Sequence, residues 1–136
     1  NINASKQLLE VHNKLGGTCI GLKEIPEEEI SNKGIVEGKL IKKNIYSLSN
    51  MVEKPELENA PSNLSIIGRY ILNKKIFELL EKQTPGALGE IQITDSIKNS
   101  IEFESVYGKL IEGKHFDAGN PKGMLEASNY LTSQNK

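Results

Sequence analysis

Apolar positions along this chain recur with two periods, one helical and one extended, and the switches between them mark its elements. In "NASKQLLEVHNKL" the apolar side chains fall at Leu8, Leu9, Val11 and Leu15, the spacing of one helix face, with Asn3 or Ser5 as the N-terminal cap and Gly16-Gly17 as the stop. "TCIGLKEIP" reads as a strand ended by Pro26, and "EEEISNKG" as a polar loop. "IVEGKLI" and "IYSLSNMVEKP" are alternating runs separated by Lys42, Lys43 and Asn44, which predicts a hairpin or neighbouring strands. "SNLSIIGRYIL" is a stronger strand, and "NKKIFELLEKQ" a helix that opens at Asn73 and closes near Pro85-Gly86. "EIQITDSIKNSI" predicts another helix, "VYGKLIEGKHFDAG" a strand or two, and "NPKGMLEASNYLTS" a last helix with Pro121 early in it. The predicted order α-β-β-β-β-α-α-β-α lacks strict alternation and repeats, so the fold class is α/β, a mixed sheet flanked by helices.

Composition narrows the function classes. A chain of 136 residues with 37% hydrophobic content supports one core, hence one compact unit. Its formal charge of -1 disfavours a nucleic-acid partner or a basic membrane surface. No apolar run approaches the roughly 18 residues of a membrane-spanning helix, and no charged-then-apolar leader opens the chain. The single cysteine, Cys19, rules out an internal disulfide or a thiolate cluster and suits a reducing, cytoplasmic setting. The first residue is Asn1 rather than Met, so the natural gene product is expected to begin elsewhere.

The candidate chemistry is polar and sits at strand ends. His12 and His115 have no nearby cysteine and only scattered carboxylates, so structural or solvent-facing roles suit them better than zinc. No nucleophile elbow surrounds any serine, and "GNPKG" lacks the order of a dinucleotide fingerprint. Arg69 is the one arginine among seventeen basic residues; buried, it would need a carboxylate or phosphate, while an outward-facing Arg on a strand competes with that reading. Gly34 and Gly68 mark bulges or close backbone approach, and Asp117 stands where a strand gives way to turn and helix, as a ligand group or as a turn cap. Glu53 and Lys54 set a carboxylate beside an ammonium just before Pro55, and consecutive strand residues reach one ligand only if the strand twists or ends there.

"VEKP", "APSNLSIIGRYIL", "TPGALGEIQITDSI" and "EGKHFDAGNPKGMLEA" occur in the order and approximate spacing of bacterial UTP-glucose-1-phosphate uridylyltransferases, the UDP-glucose pyrophosphorylases. The chain resembles that family from about Gly17 to Leu131. The resemblance implies the C-terminal part of a Rossmann-like sugar-nucleotidyltransferase fold, which with Mg2+ makes UDP-glucose and pyrophosphate from UTP and glucose 1-phosphate. By the same resemblance Lys54 lies against the phosphates, Glu53 accepts hydrogen bonds from glucose hydroxyls, Gly34 admits the sugar to the backbone, and Asp117 helps hold the magnesium. The family's glycine-rich nucleotide loop and its principal magnesium aspartate have no counterpart here and would belong upstream of Asn1. Residues 1–136 then form a single unit, the sugar-binding portion of a domain whose nucleotide-binding part is absent, inactive alone and homo-oligomeric in the full-length protein. Strand edges and one apolar sheet face are expected to be left uncovered. A glucose-1-phosphate thymidylyltransferase or a non-catalytic sugar-nucleotide-binding or assembly module are the alternative readings.

Overall fold

The computed structural model describes residues 2–85 and 89–134. Helix α1 (Ala4–Leu15) is capped by Asn3, whose Oδ1 accepts from the Lys6 amide at 2.9 Å. It stops where Gly16 and Gly17 take φ of 70° and 67°, a left-handed conformation that glycine adopts without a Cβ penalty. His12 closes the same corner by donating from Nδ1 to the Gly17 carbonyl at 2.8 Å, a structural role. Strands β1 (Thr18–Glu24), β2 (Gly34–Lys42), β3 (Ile45–Glu53) and β4 (Leu64–Ile71) follow, then helices α2 (Ile76–Lys82) and α3 (Ile93–Ser100), strand β5 (Val106–Leu110) and helix α4 (Pro121–Gln134). That is the predicted order. Gly86, half of the predicted stop after α2, lies outside the described residues.

Two local readings change. "EEEISNKG" is not a plain loop: Glu27–Asn32 form a 3-10 helix, because Ile30 packs with Ile25 and Ile35 while the three glutamates stay at the surface. The late extended stretch holds one strand only. Gly113, at φ 130°, follows its end, so His115 and Asp117 sit on the connection to α4 and not on a strand.

The sheet is mixed, as predicted, and it closes into a barrel in the order β1-β4-β2-β3-β5. β5 returns parallel to β1, and the other pairs are antiparallel. Closure covers most of the edges expected to be open, but the β2–β4 seam is a single rung, Ile35 opposite Ser65. The outer half of β2 therefore keeps an unpaired side, and its residues from Lys39 on are exposed. β2 and β3 form the predicted hairpin, turning at Asn44 with φ 60°. On β4, Gly68 at φ 67° sits where the register with β1 shifts, so this glycine marks a bulge.

β1 is apolar on both faces because both are covered. Cys19 packs with Leu8 and Val11 of α1, whereas Ile20 and Leu22 join Val36, Leu48, Met51, Leu64, Ile76, Ile97 and Val106 in the main core. α3 is thus anchored by Ile97, which is fully buried. Ile97→Ala should lower unfolding free energy by about 2–5 kcal/mol through lost transfer energy and a residual cavity. Urea denaturation of the two proteins reads this as a lower midpoint at unchanged slope.

Candidate functional site

Gly34, the first residue of β2, stands opposite Glu53, the last of β3. A Cβ on Gly34 would lie 2.8 Å from Glu53 Oε2 and 3.6 Å from Thr94 Oγ1, so the missing side chain leaves the space that the Glu53 carboxylate occupies. Thr94, near the start of α3, donates from Oγ1 to Glu53 Oε2 at 2.9 Å. Burial raises the pKa of the Tyr70 phenol, and the nearby Glu53 charge raises it further, so Tyr70 stays neutral beside the carboxylate.

β3 ends at Glu53, and the chain turns at once. Lys54 takes φ 47°, a left-handed conformation that costs a residue with a Cβ about 1–2 kcal/mol. Its amide is held by the Lys33 carbonyl at 3.0 Å, and Pro55 is buried behind it. The Lys54 side chain is exposed and makes no ion pair among the described residues. Alternation therefore does not separate Glu53 from Lys54, because the strand stops between them.

Lys33 ties this corner to Asp117. Its Nζ lies 3.4 Å from Asp117 Oδ2, while Asp117 Oδ1 accepts from the Gly119 amide at 3.1 Å. The Gly119 hydrogen bond, then the Lys33 hydrogen bond and charge, hold the Asp117 carboxyl below its usual range, so it is ionised through neutral and mildly acidic pH. Asp117 is the turn cap that competed with the ligand reading: Asn120 Nδ2 donates to its carbonyl at 3.1 Å, and Asn120 Oδ1 accepts from Gly123 N at 2.9 Å to start α4. Its side chain is still 54% exposed. That leaves oxygen surface of the kind a hard divalent cation takes, yet among the described residues no group of three or more His, Cys, Asp or Glu could hold a metal ion. Asp117 fits such an ion as one ligand.

A cleft of about 480 Å³ opens beside Asp117, lined by Lys23, Lys33, Lys122 and His115 together with the carboxylates of Glu29 and Glu126. Burial and the Lys23 charge lower the His115 pKa against the opposing pull of Asp117, which keeps the ring neutral near pH 7. Arg69 is exposed and, among the described residues, donates only to the Gly68 carbonyl, at 3.0 Å, so the outward-facing reading holds. Cys19 is buried with its pKa pushed up to about 11, first by burial and then by the Glu104 carboxylate, and it remains a thiol.

The predicted residues thus form one connected corner. Gly34 and Glu53 meet directly, Lys54 is the next residue, and Asp117 joins through Lys33. Sequence reading missed Thr94 and Lys33. Thr94 lies inside the quoted "EIQITDSI", but nothing in a helical pattern says which strand end it faces. Lys33 directly precedes Gly34 and is one of sixteen lysines, so no signal singled it out.

Residues 3–134 match the nucleotidyl transferase family model. The chain is 42% identical over 125 residues to the UTP-glucose-1-phosphate uridylyltransferase of Pseudomonas aeruginosa, which covers 92% of this chain and 45% of that protein. The Streptococcus pyogenes protein of the same name is 40% identical over 126 residues, covering 91% and 41%. Among solved structures, a UDP-glucose pyrophosphorylase complexed with UDP-glucose superposes with a TM-score of 0.90 at 37% identity, over 95% of this chain and 49% of that one. A UTP-bound enzyme of that kind from Acinetobacter baumannii gives a TM-score of 0.79 at 32% identity, over 92% and 43%. The chain spans less than half the length of these curated relatives. With the match running through the strands, the helices and the Glu53–Lys54 corner alike, the chain belongs to the nucleotidyl transferase family, and within it resembles the UDP-glucose pyrophosphorylases.

Proposed function

We propose that this chain forms the sugar-phosphate side of a uridylyltransferase site, in an enzyme that joins UTP and glucose 1-phosphate into UDP-glucose and pyrophosphate. The observation that carries the reading is the Glu53–Lys54 corner. A carboxylate held on one side by Thr94 is followed, across a left-handed turn, by an exposed ammonium without an ion-pair partner among the described residues. Glucose 1-phosphate carries the complementary pair, hydroxyls that donate and a phosphate that is anionic. The likeness to relatives named for this reaction supports the choice of substrates.

In this reading Glu53 accepts hydrogen bonds from glucose hydroxyls, and Gly34 leaves the backbone beside them uncovered. Lys54 faces the phosphate. A phosphate oxygen of the sugar attacks the α-phosphorus of UTP, the bond to the β,γ-pyrophosphate breaks, and pyrophosphate leaves with that bond's electron pair. Catalysis is then mainly orientation and charge neutralisation. Mg2+, with Asp117 as one of its ligands, would neutralise phosphate charge when bound. The setting is the cytoplasm and the assembly a homo-oligomer; the exposed Met124, Leu125 and Leu131 of α4 offer apolar surface for subunit contact. No helix among the described residues is long and apolar enough to cross a membrane.

The test is a pyrophosphate-release assay on the natural gene product that contains residues 1–136, supplied with UTP, glucose 1-phosphate and Mg2+. The product is expected to be active and residues 1–136 alone inactive. No pyrophosphate from the gene product, or substantial release from the isolated chain, would refute the reading. Lys54→Ala should lower turnover about 100-fold, the scale of one lost positioned electrostatic contact. Glu53→Ala should raise KM for glucose 1-phosphate far more than KM for UTP, since unpaired hydroxyls cost about 1–3 kcal/mol.

A further inference from the structure

We infer that Thr94 is a positioning residue for the sugar. Its hydroxyl, together with the absent side chain at Gly34, fixes the Glu53 carboxylate in the orientation that reads glucose hydroxyls. The inference rests on the sugar-binding reading of Glu53 given above and assigns the parts that make that residue work.

Glutamate is a poor anchor by itself. Three rotatable torsions lie between its backbone and its carboxylate, and fixing them on binding lowers affinity by about 2- to 13-fold per side chain. Here much of that freedom is removed before any ligand arrives. Glu53 is the last residue of β3, so its backbone is held by the rung to Gly34. The carboxylate is then gripped at one oxygen, Oε2, by Thr94 Oγ1 at 2.9 Å. Thr94 itself is only 4% exposed, and α3, which carries it, is pinned by the buried Ile97, Ser96 and Ser100. Ser96 Oγ donates to Gln83 Oε1, and Ser100 Oγ to the Ile97 carbonyl at 2.7 Å, so the hydroxyl that meets Glu53 sits on a helix whose other buried polar side chains, Ser96 and Ser100, are already engaged.

The fourth part is an absence of atoms. A Cβ at Gly34 would stand 2.8 Å from the same Oε2 and 3.3 Å from Ile66 Cδ1. Gly34 has no positive φ that would demand glycine, so the constraint there is space and not backbone conformation. An ionised carboxylate has about four lone-pair sites, and the one hydrogen bond that Glu53 receives among the described residues goes to Oε2, which leaves Oε1 to accept from a ligand. The threonine hydroxyl can donate only one proton, and Glu53 receives it.

Initial-rate kinetics of the natural gene product test this with four variants: Thr94→Val, Thr94→Ser, Gly34→Ala and Glu53→Ala. Thr94→Val keeps the shape and loses the hydroxyl, so KM for glucose 1-phosphate should rise about 10-fold while KM for UTP and the thermal midpoint stay close to the parent values. Thr94→Ser keeps the hydroxyl and should restore KM for glucose 1-phosphate to within about 3-fold of the parent. Gly34→Ala presses on the same oxygen and should reproduce the Thr94→Val pattern; it decides the matter if Thr94→Val does not fold. A selective rise in Glu53→Ala with no rise in Thr94→Val, or in Gly34→Ala where that variant must decide, overturns the positioning role and leaves Glu53 as the sugar ligand. An unselective loss in Glu53→Ala overturns both. A rise in Thr94→Val that Thr94→Ser fails to reverse would also overturn the role, because it would trace the effect to packing.

Discussion

One hydrogen bond, from the Thr94 hydroxyl to the Glu53 carboxylate, joins the helical layer of this protein to the end of its central hairpin. Its geometry needs three separate parts of the chain at once. β2 must begin on a residue without a side chain, β3 must end on its cross-strand partner, and α3 must be packed deeply enough to hold a threonine still. Ile97 secures the last of these, since it belongs to the same core cluster as Val36 of β2 and Met51 of β3. The apolar core therefore determines where a polar contact falls.

Strand ends suit this task. Within a regular strand Glu53 and Lys54 would point to opposite faces. The chain avoids that by stopping β3 between them and bending through a left-handed residue held by the Lys33 carbonyl. Strained backbone of this kind persists only where its surroundings over-determine it, and here a buried proline and a backbone hydrogen bond do so. The same Lys33 reaches Asp117 with its side chain, so one residue couples the β2–β3 end to the start of α4. The cleft beside that coupling sets three lysines, Lys23, Lys33 and Lys122, among three carboxylates, Glu29, Asp117 and Glu126.

The barrel explains why a chain spanning less than half of its relatives' length has a coherent core. Every strand has two neighbours, and β5 closes the ring by pairing parallel to β1 and antiparallel to β3. The thin point is the single β2–β4 rung, next to the corner that carries Gly34. The outer hairpin and α4 expose apolar residues, Leu40 and Ile41 on the one and Met124, Leu125 and Leu131 on the other.

Local rules determined much of this from the amino-acid order alone. Helix α1 with its Asn3 cap and paired glycines, the β2–β3 hairpin, the bulge at Gly68 and the order of the described α-helices and strands follow from periodicity and turn chemistry, which act over a few residues. Motif wording also pointed to Gly34, Glu53, Lys54 and Asp117. Tertiary structure decided the remainder. The 3-10 helix at Glu27–Asn32 exists because Ile30 packs with Ile25 and Ile35 under Ala60, which arrives from beyond β3, and His115 left its predicted strand because β5 had already ended. Barrel closure is a pairing across more than eighty residues of sequence, from Thr18 to Val106. Thr94 and Lys33 became visible only through partners 41 and 84 positions away. No local pattern encodes such a pairing, because the free energy that selects it comes from packing the whole core at once.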